Sequence, residues 1–408
     1  SCEIGTYAAA TLLLPYFDVD VKAQSTTAVD TIFTIINTSK SPQVVHVTIW
    51  TDLGYPAVAF NEFLTGYDAQ TISLFEVLAR GSFPITSSEV TRGLISAENG
   101  ANPNFRPELL CGRVGGRIPE LMLQKVQAML TTGERDGTEC RVGLQHKTAI
   151  GYVTIDVVNG CTALMPNDPA YYRDSLLYDN VLTGDYERIN PNSASGNYAG
   201  GNPLVHIRAV PEGGPAGRDA VVPMPYTFYD RYTPSGARKS DRRQPLPSSF
   251  SARYIQGGPT GFMTRFAVWR EGVVGASRDA CEYAHNASLP IIPTNIVRFD
   301  EHENPTILAV CADRPCASPS MPPVGEISFG SFSSSNVLPP LAGSGDVAGW
   351  VWLGLDHGAG KGEKNPFSIA RPSQNWVTVQ MYAEGRYAVD FDATALQNGC
   401  TLTPAPAP

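Results

Sequence analysis

Between Asp30 and Trp50 large side chains alternate twice: Thr31, Phe33 and Ile35 against Ile32, Thr34 and Ile36, then Val45, Val47 and Ile49 against His46, Thr48 and Trp50. A period of two is the mark of β-strands. Bulk on both faces predicts a strand pair buried fully on one side and partly on the other. NTSKSPQ supplies the turn between them, with Pro42 where a missing N–H is tolerated. The pattern recurs around Gly66 in FNEFLTGYDAQTISL, and this succession of strands and reversals predicts an immunoglobulin-like sandwich sheet.

Further strands are expected in HKTAIGYVTIDVVNGCTAL (146–164) and NPLVHIRAV (202–210), and after residue 223 in SSFSARYI, FMTRFAVWRE, TNIVRFDE, TILAVCA, GEISFGSF, GWVWLGLD, NWVTVQMYAE and RYAVDFDA. The last two strands turn at Glu384 and Gly385. One segment breaks the period. In RIPELMLQKVQAMLTTGE, Pro119 suits a first helical turn, Met122, Val126, Met129 and Leu130 recur at helical spacing, and Gly133 terminates, predicting a short amphipathic helix near 119–132 docked on a sheet. Residues 176–202, polar and rich in Gly and Asn, read as a long loop. A shift to Pro and Gly near 220–225 divides the chain into an N-terminal sandwich, 1–222, with a helical insertion at 112–135, and a β-rich C-terminal domain, 223–408. The fold class expected is all-β, mainly antiparallel, and disulfide-stabilised.

Composition narrows the function. At 408 residues with 42% apolar and 17% charged side chains, the chain has the material for large cores. A net charge of −9, with no basic run longer than RKSDRR (238–243), excludes a phosphate-backbone partner such as nucleic acid. The most apolar window, 8–16, is too short to span a bilayer. The absence of a leading Met is read as removal of a secretory signal, giving an expected extracellular or cell-surface location. Eight cysteines without CxxC spacing, Cys2, Cys111, Cys140, Cys161, Cys281, Cys311, Cys316 and Cys400, fit four disulfides in an oxidising compartment. The local pairings considered are Cys311 with Cys316, Cys111 with Cys140, and Cys2 with Cys400.

Candidate chemistry is sparse. There is no HExxH, GxSxG, P-loop or GxGxxG, and no catalytic residue is assigned. His46 and His206 lie within strands, where histidine is usually a satisfied, partly buried side chain. Asp18 with Asp20, and Asp300, Glu301 and Glu303 in one loop, are weak Ca²⁺ candidates, a solvated polar loop being the simpler reading; no other cofactor is expected. Asn37 and Asn286 meet the glycan-acceptor pattern.

The blocks LLLPYFDVD, TIFTIINTS, HVTIW, GYVTIDVVNGC, GNPLVHIRA and ARYIQGG resemble, in the same order, the recurrent blocks of a group of exported bacterial β-rich proteins. That resemblance implies a bacterial, secreted chain and carries no activity or site residue with it. The first expectation is a structural or assembly protein, a self-associating subunit of an extracellular filament, sheath or surface layer. It would polymerise by strand addition through the apolar N-terminal segment containing Leu12, Leu13, Leu14, Tyr16 and Phe17. The alternative is a monomeric adhesin or glycan-binding module stacking sugars on Trp350, Trp352 and Trp376. A secreted hydrolase ranks third.

Overall fold

The structure, a computed structural model, describes residues 4–24, 26–84, 117–135, 141–166, 168–191, 201–213, 224, 227–229, 241–257, 261–270, 296–307, 327–331, 348–355, 374–383 and 387–397. Strand dominates, and every pairing in the four sheets is antiparallel.

The first nine strands are β1 (Thr11–Val19), β2 (Asp30–Asn37), β3 (Gln43–Thr51), β4 (Pro56–Leu64), β5 (Ala69–Ser73), β6 (Ala149–Val158), β7 (Leu182–Ile189), β8 (Asn202–Pro203) and β9 (Val205–Ile207). They form a central sheet, in the order β4-β3-β6-β1-β9, and an outer sheet, β5-β2-β7-β8. The remaining strands are β10 (Ser249–Ile255), β11 (Phe262–Arg270), β12 (Ile296–Asp300), β13 (Pro305–Ile307), β14 (Ile327–Ser331), β15 (Ala348–Gly354), β16 (Asn375–Ala383), β17 (Tyr387–Asp392) and β18 (Thr394–Gln397). They make a second pair of sheets, β14-β11-β16-β17 and β13-β12-β15-β10-β18.

The central sheet is buried on both faces, which is why β3 and β6 are buried at every position along their length. Leu12, Leu14, Val45, Val47, Ile49, Val153 and Ile155 face one core, shared with the outer sheet. Leu13, Tyr16, Val44, Trp50 and Tyr152 face a second core, shared with Phe266, Val268, Trp269, Val377 and Val379 of the C-terminal sheets. Strand β1 accordingly approaches β2 and β7 on one side and β11 and β16 on the other.

Several expectations are corrected here. The strands of the opening segment do not pair: β2 bonds to β5 and β7, whereas β3 bonds to β4 and β6. The turn between them carries the chain from one sheet to the other, and the Gly66 turn carries it back. Asn37, fully buried, joins these two corners. Its Nδ2 donates to the carbonyls of Ser41 (2.8 Å) and Thr65 (2.9 Å), and its Oδ1 accepts from the backbone and hydroxyl of Ser39. A Cβ on Gly66 would meet the Lys40 carbonyl oxygen at 2.1 Å, so the corners touch only because that position is glycine.

The expected loop 176–202 contains β7, the strand between β2 and β8. Only Leu182 and Tyr186 of β7 are buried, which hides its period, and Gly184 is required because a Cβ there would lie 2.2 Å from the Thr34 carbonyl. The N-terminal segment expected to pair with another copy is β1 itself, hydrogen-bonded between β6 and β9. Leu12, Leu13, Leu14, Tyr16 and Phe17 are at most 1% exposed.

Two α-helices are described, α1 (Leu74–Leu78) and α2 (Glu120–Thr131). Helix α2 docks Leu123, Val126, Met129 and Leu130, while Met122, placed by the periodicity on the inner stripe, is 47% exposed. A π-helical turn, Tyr171–Ser175, follows β6.

Candidate functional site

The densest polar constellation among the described residues lies in the second core. Register aligns Thr11 of β1, Asp156 of β6, His46 of β3 and Asn61 of β4 in one row across four strands. Alternation turns this row away from Val45, Ile155 and Val157 and toward the C-terminal sheets. Asp156 is fully buried. Its Oδ1 accepts from the Thr11 hydroxyl (2.5 Å), and its Oδ2 accepts from the hydroxyls of Tyr171 (2.7 Å) and Tyr229 (2.6 Å).

Arg243, also fully buried, supplies the opposite charge. Its Nε lies 3.6 Å from Asp156 Oδ1 and hydrogen-bonds the Thr11 hydroxyl; its Nη2 donates to the Leu177 carbonyl (2.9 Å); and its guanidinium lies 4.8 Å from the Tyr178 ring centroid. Burial acts against the charged form of Arg243, but Asp156, Tyr178 and Asp241 outweigh it and hold its pKa above the ordinary value. Burial first, and the Asp156 charge next, push the Tyr171 and Tyr229 phenols far upward, so both remain donors. His46 Nδ1 donates to Asn61 Oδ1 (2.9 Å), the ring packs 5.5 Å from that of Tyr171, and burial lowers the His46 pKa.

This arrangement has no reacting atom open to solvent. It ties the segment before β10 and the π-helical turn to the middle of the central sheet, through charge-assisted bonds that are strong when dry. Asp156 and Arg243 were not singled out by sequence. The available signal was Thr154 and Asp156 alternating with Val153, Ile155 and Val157, an acid placed on one face of an otherwise apolar strand. A second tie joins β7 to β17, where Arg188 Nε meets Asp390 Oδ2 at 2.6 Å and the guanidinium covers the Tyr16 ring at 4.9 Å.

The sequence candidates are scattered. Asp18 and Asp20 close β1, and Asp20 Oδ1 accepts from the backbone of Lys22 and Ala23. Asp300 shapes the β12–β13 turn: its Oδ1 accepts from the backbone of His302 and Asn304 and its Oδ2 from the Asn304 amide, with Glu303 at φ 63°. Its carboxyl is held below the usual range by these Asn304 and His302 bonds. No group of three metal-ligating side chains occurs among the described residues. Asn37, buried and bonded at both ends of its amide, is closed to glycosylation in the folded chain, and Asn286 lies outside the described residues. Cys161 is disulfide-bonded; Cys2, Cys111, Cys140, Cys281, Cys311, Cys316 and Cys400 lie outside the described residues.

Of the tryptophans, Trp376 is in the core against Phe250 and is withdrawn as a sugar platform. Trp350 and Trp352 remain partly exposed on the outer face of β15. Comparison of the chain with family models, with curated proteins and with solved structures gives no match.

Proposed function

We propose that this protein is a secreted bacterial structural protein, a subunit of an extracellular filament, sheath or surface layer, that polymerises by adding the edge of one copy to the edge of the next. The N-terminal segment is not the donor in this reading, because it completes its own sheet. An immunoglobulin-like character of the paired sheets belongs to the same proposal, supported by the repeated crossing of consecutive strands from sheet to sheet.

The observation that carries it is the state of the sheet margins. Proline or charge blunts β4 (Pro56), β8 (Pro203), β13 (Pro305) and β17 (Asp390, Asp392), and β9 is buried. Among margins whose side chains are described, β5 (AQTIS) and β18 (TALQ) carry neither device. Neither strand's backbone bonds to a described residue beyond its sheet partner, β2 or β10, apart from side-chain caps at Ala69 and Thr71. The two edges end different sheets, so β18 of one copy on β5 of the next is a heterologous contact, which repeats into an open chain instead of closing a dimer. A groove of about 460 Å³ beside β5, lined in part by Ile32, Ile72, Val77 and Phe83, offers a place for Leu396 of β18, 53% exposed. The disulfide at Cys161 supports an oxidising compartment.

Negative-stain imaging and size-exclusion chromatography of the native protein test this. Polymers are expected, and Thr71→Lys, a change at an exposed position of β5, is expected to reduce them to particles near 43.8 kDa. Monodisperse wild-type particles of that mass would refute assembly.

A further inference from the structure

The sheet β13-β12-β15-β10-β18 turns one face to the core and the other outward. Along β15, Val351 and Leu353 are buried, while Trp350 and Trp352 point the opposite way and stay partly exposed. Register sets Phe299 and Arg253 on either side of Trp350, and Val297 and Ser251 on either side of Trp352. Pro305 extends the first row beyond Phe299, and Thr394 extends the second beyond Ser251. The rings of Phe299 and Trp350 are parallel within 7°, their centroids 3.7 Å apart. That stack fixes the indole and leaves its far face away from Phe299.

The surface is graded across the strands. Apolar Pro305, Phe299 and Val297 stand on one side and the two indoles in the middle. The Arg253 guanidinium and the hydroxyls of Ser251 and Thr394 stand on the other side, all of them exposed or partly exposed.

We propose that this face binds an oligosaccharide segment of two or three rings. A pyranose presents an apolar C–H face to an indole and a rim of hydroxyls to hydrogen-bonding groups, and the graded surface offers both at once. Size argues against a second copy as occupant. Strands spaced about 4.8 Å apart and rows about 7 Å apart make a patch on the order of 15 Å by 10 Å. That is a fraction of the roughly 800 Å² that each partner contributes to a stable protein interface. Tryptophan and arginine are also the side chains that concentrate binding energy in a small area. The proposal uses a sheet face, whereas assembly uses strand edges, so either can fail alone.

Calorimetric titration of the full native chain with soluble hexamers of β-1,4-linked glucose, β-1,4-linked N-acetylglucosamine and α-1,4-linked glucose tests it, with tryptophan fluorescence as a second readout. Saturable binding to at least one hexamer is expected. Trp352→Ala should weaken it about tenfold or more. Arg253→Ala, at an exposed position that leaves the fold intact, should weaken it measurably, and Tyr67→Ala, exposed on the β4–β5 turn, should leave it unchanged. The proposal is overturned by absence of binding to all three hexamers, or by binding that both Trp352→Ala and Arg253→Ala leave intact. A change of oligomeric state in Trp352→Ala without a change in sugar binding also overturns it, because the face would then be a contact between copies.

Discussion

Glu62 is the most exposed flaw in the energetics of the fold, although the residue itself is 1% exposed. It sits in β4 opposite Val45, on the face that packs into the first core, and its Oε2 has no hydrogen-bond partner. Burial alone pushes its pKa from 4.5 up to about 8. A carboxyl held neutral by burial binds a proton in the folded chain over a pH range where the unfolded chain has released it. Its contribution is therefore most favourable below pH 4.5 and is lost as pH rises to 8, after which it stays level. Each pH unit in that window costs about 1.4 kcal/mol, giving a full penalty of about 5 kcal/mol. Glu62→Gln keeps the shape of the neutral acid and removes the titration. Urea unfolding of both proteins from pH 4 to 9 should give curves that coincide near pH 4.5 and diverge steadily, with the variant more stable by about 3 kcal/mol at pH 7. Other acids titrate alike in both chains and cancel in the difference. Parallel curves across the whole range would refute the assignment of an unpaired, buried carboxyl to this position.

Gly66→Ala forces a methyl group onto the Lys40 carbonyl, with backbone on both sides and no flexible side chain to yield. A loss of at least about 2 kcal/mol is expected, read as a lower urea midpoint with unchanged slope; an unchanged midpoint would mean that the two corners are not in contact. Asp156→Asn leaves the buried Arg243, among the described residues, with Asp241, 3.9 Å away, as its remaining counter-charge, and should cost about 3 kcal/mol. A thermal unfolding temperature equal to that of the wild type would show that the buried pair is not formed.

The alternation between Asp30 and Trp50 was enough to place β2 and β3 as strands, because period-two burial is a local property of the chain. It was not enough to say which strand each one bonds. A short polar turn between two strands serves a hairpin and an inter-sheet corner equally, and what selects the corner here is Asn37 reaching Thr65, 28 residues away. Strand β7 escaped because an outer strand with two buried side chains has almost no pattern to read, and its pairing is decided by β2. The helix was legible from its spacing, but Met122 was assigned to the wrong face, Leu123 being the residue that docks. The Asp156–Arg243 pair was the least legible, since its partners lie 87 positions apart and neither stands in a motif. Trp350 and Trp352, two positions apart on β15, share one face by the same period-two rule.

What remains free in this architecture limits what the protein can do at its surface. The central sheet has both faces covered, so no ligand reaches it without separating the two halves. The Asp156–Arg243 and Arg188–Asp390 ties oppose such a separation, because opening it would strand charges that are paired only when the halves are closed. Recognition through the described residues is therefore confined to margins and outer faces. Among the margins whose side chains are described, most are blunted, two are not, and those two end different sheets. The outer faces differ as well, since β2 presents Ile32, Thr34 and Ile36 without an aromatic ring, whereas β15 presents two indoles beside Arg253. A rigid body with directional edges and one aromatic face suits a subunit that joins its own kind along one axis and holds a polymer of another kind on its flank.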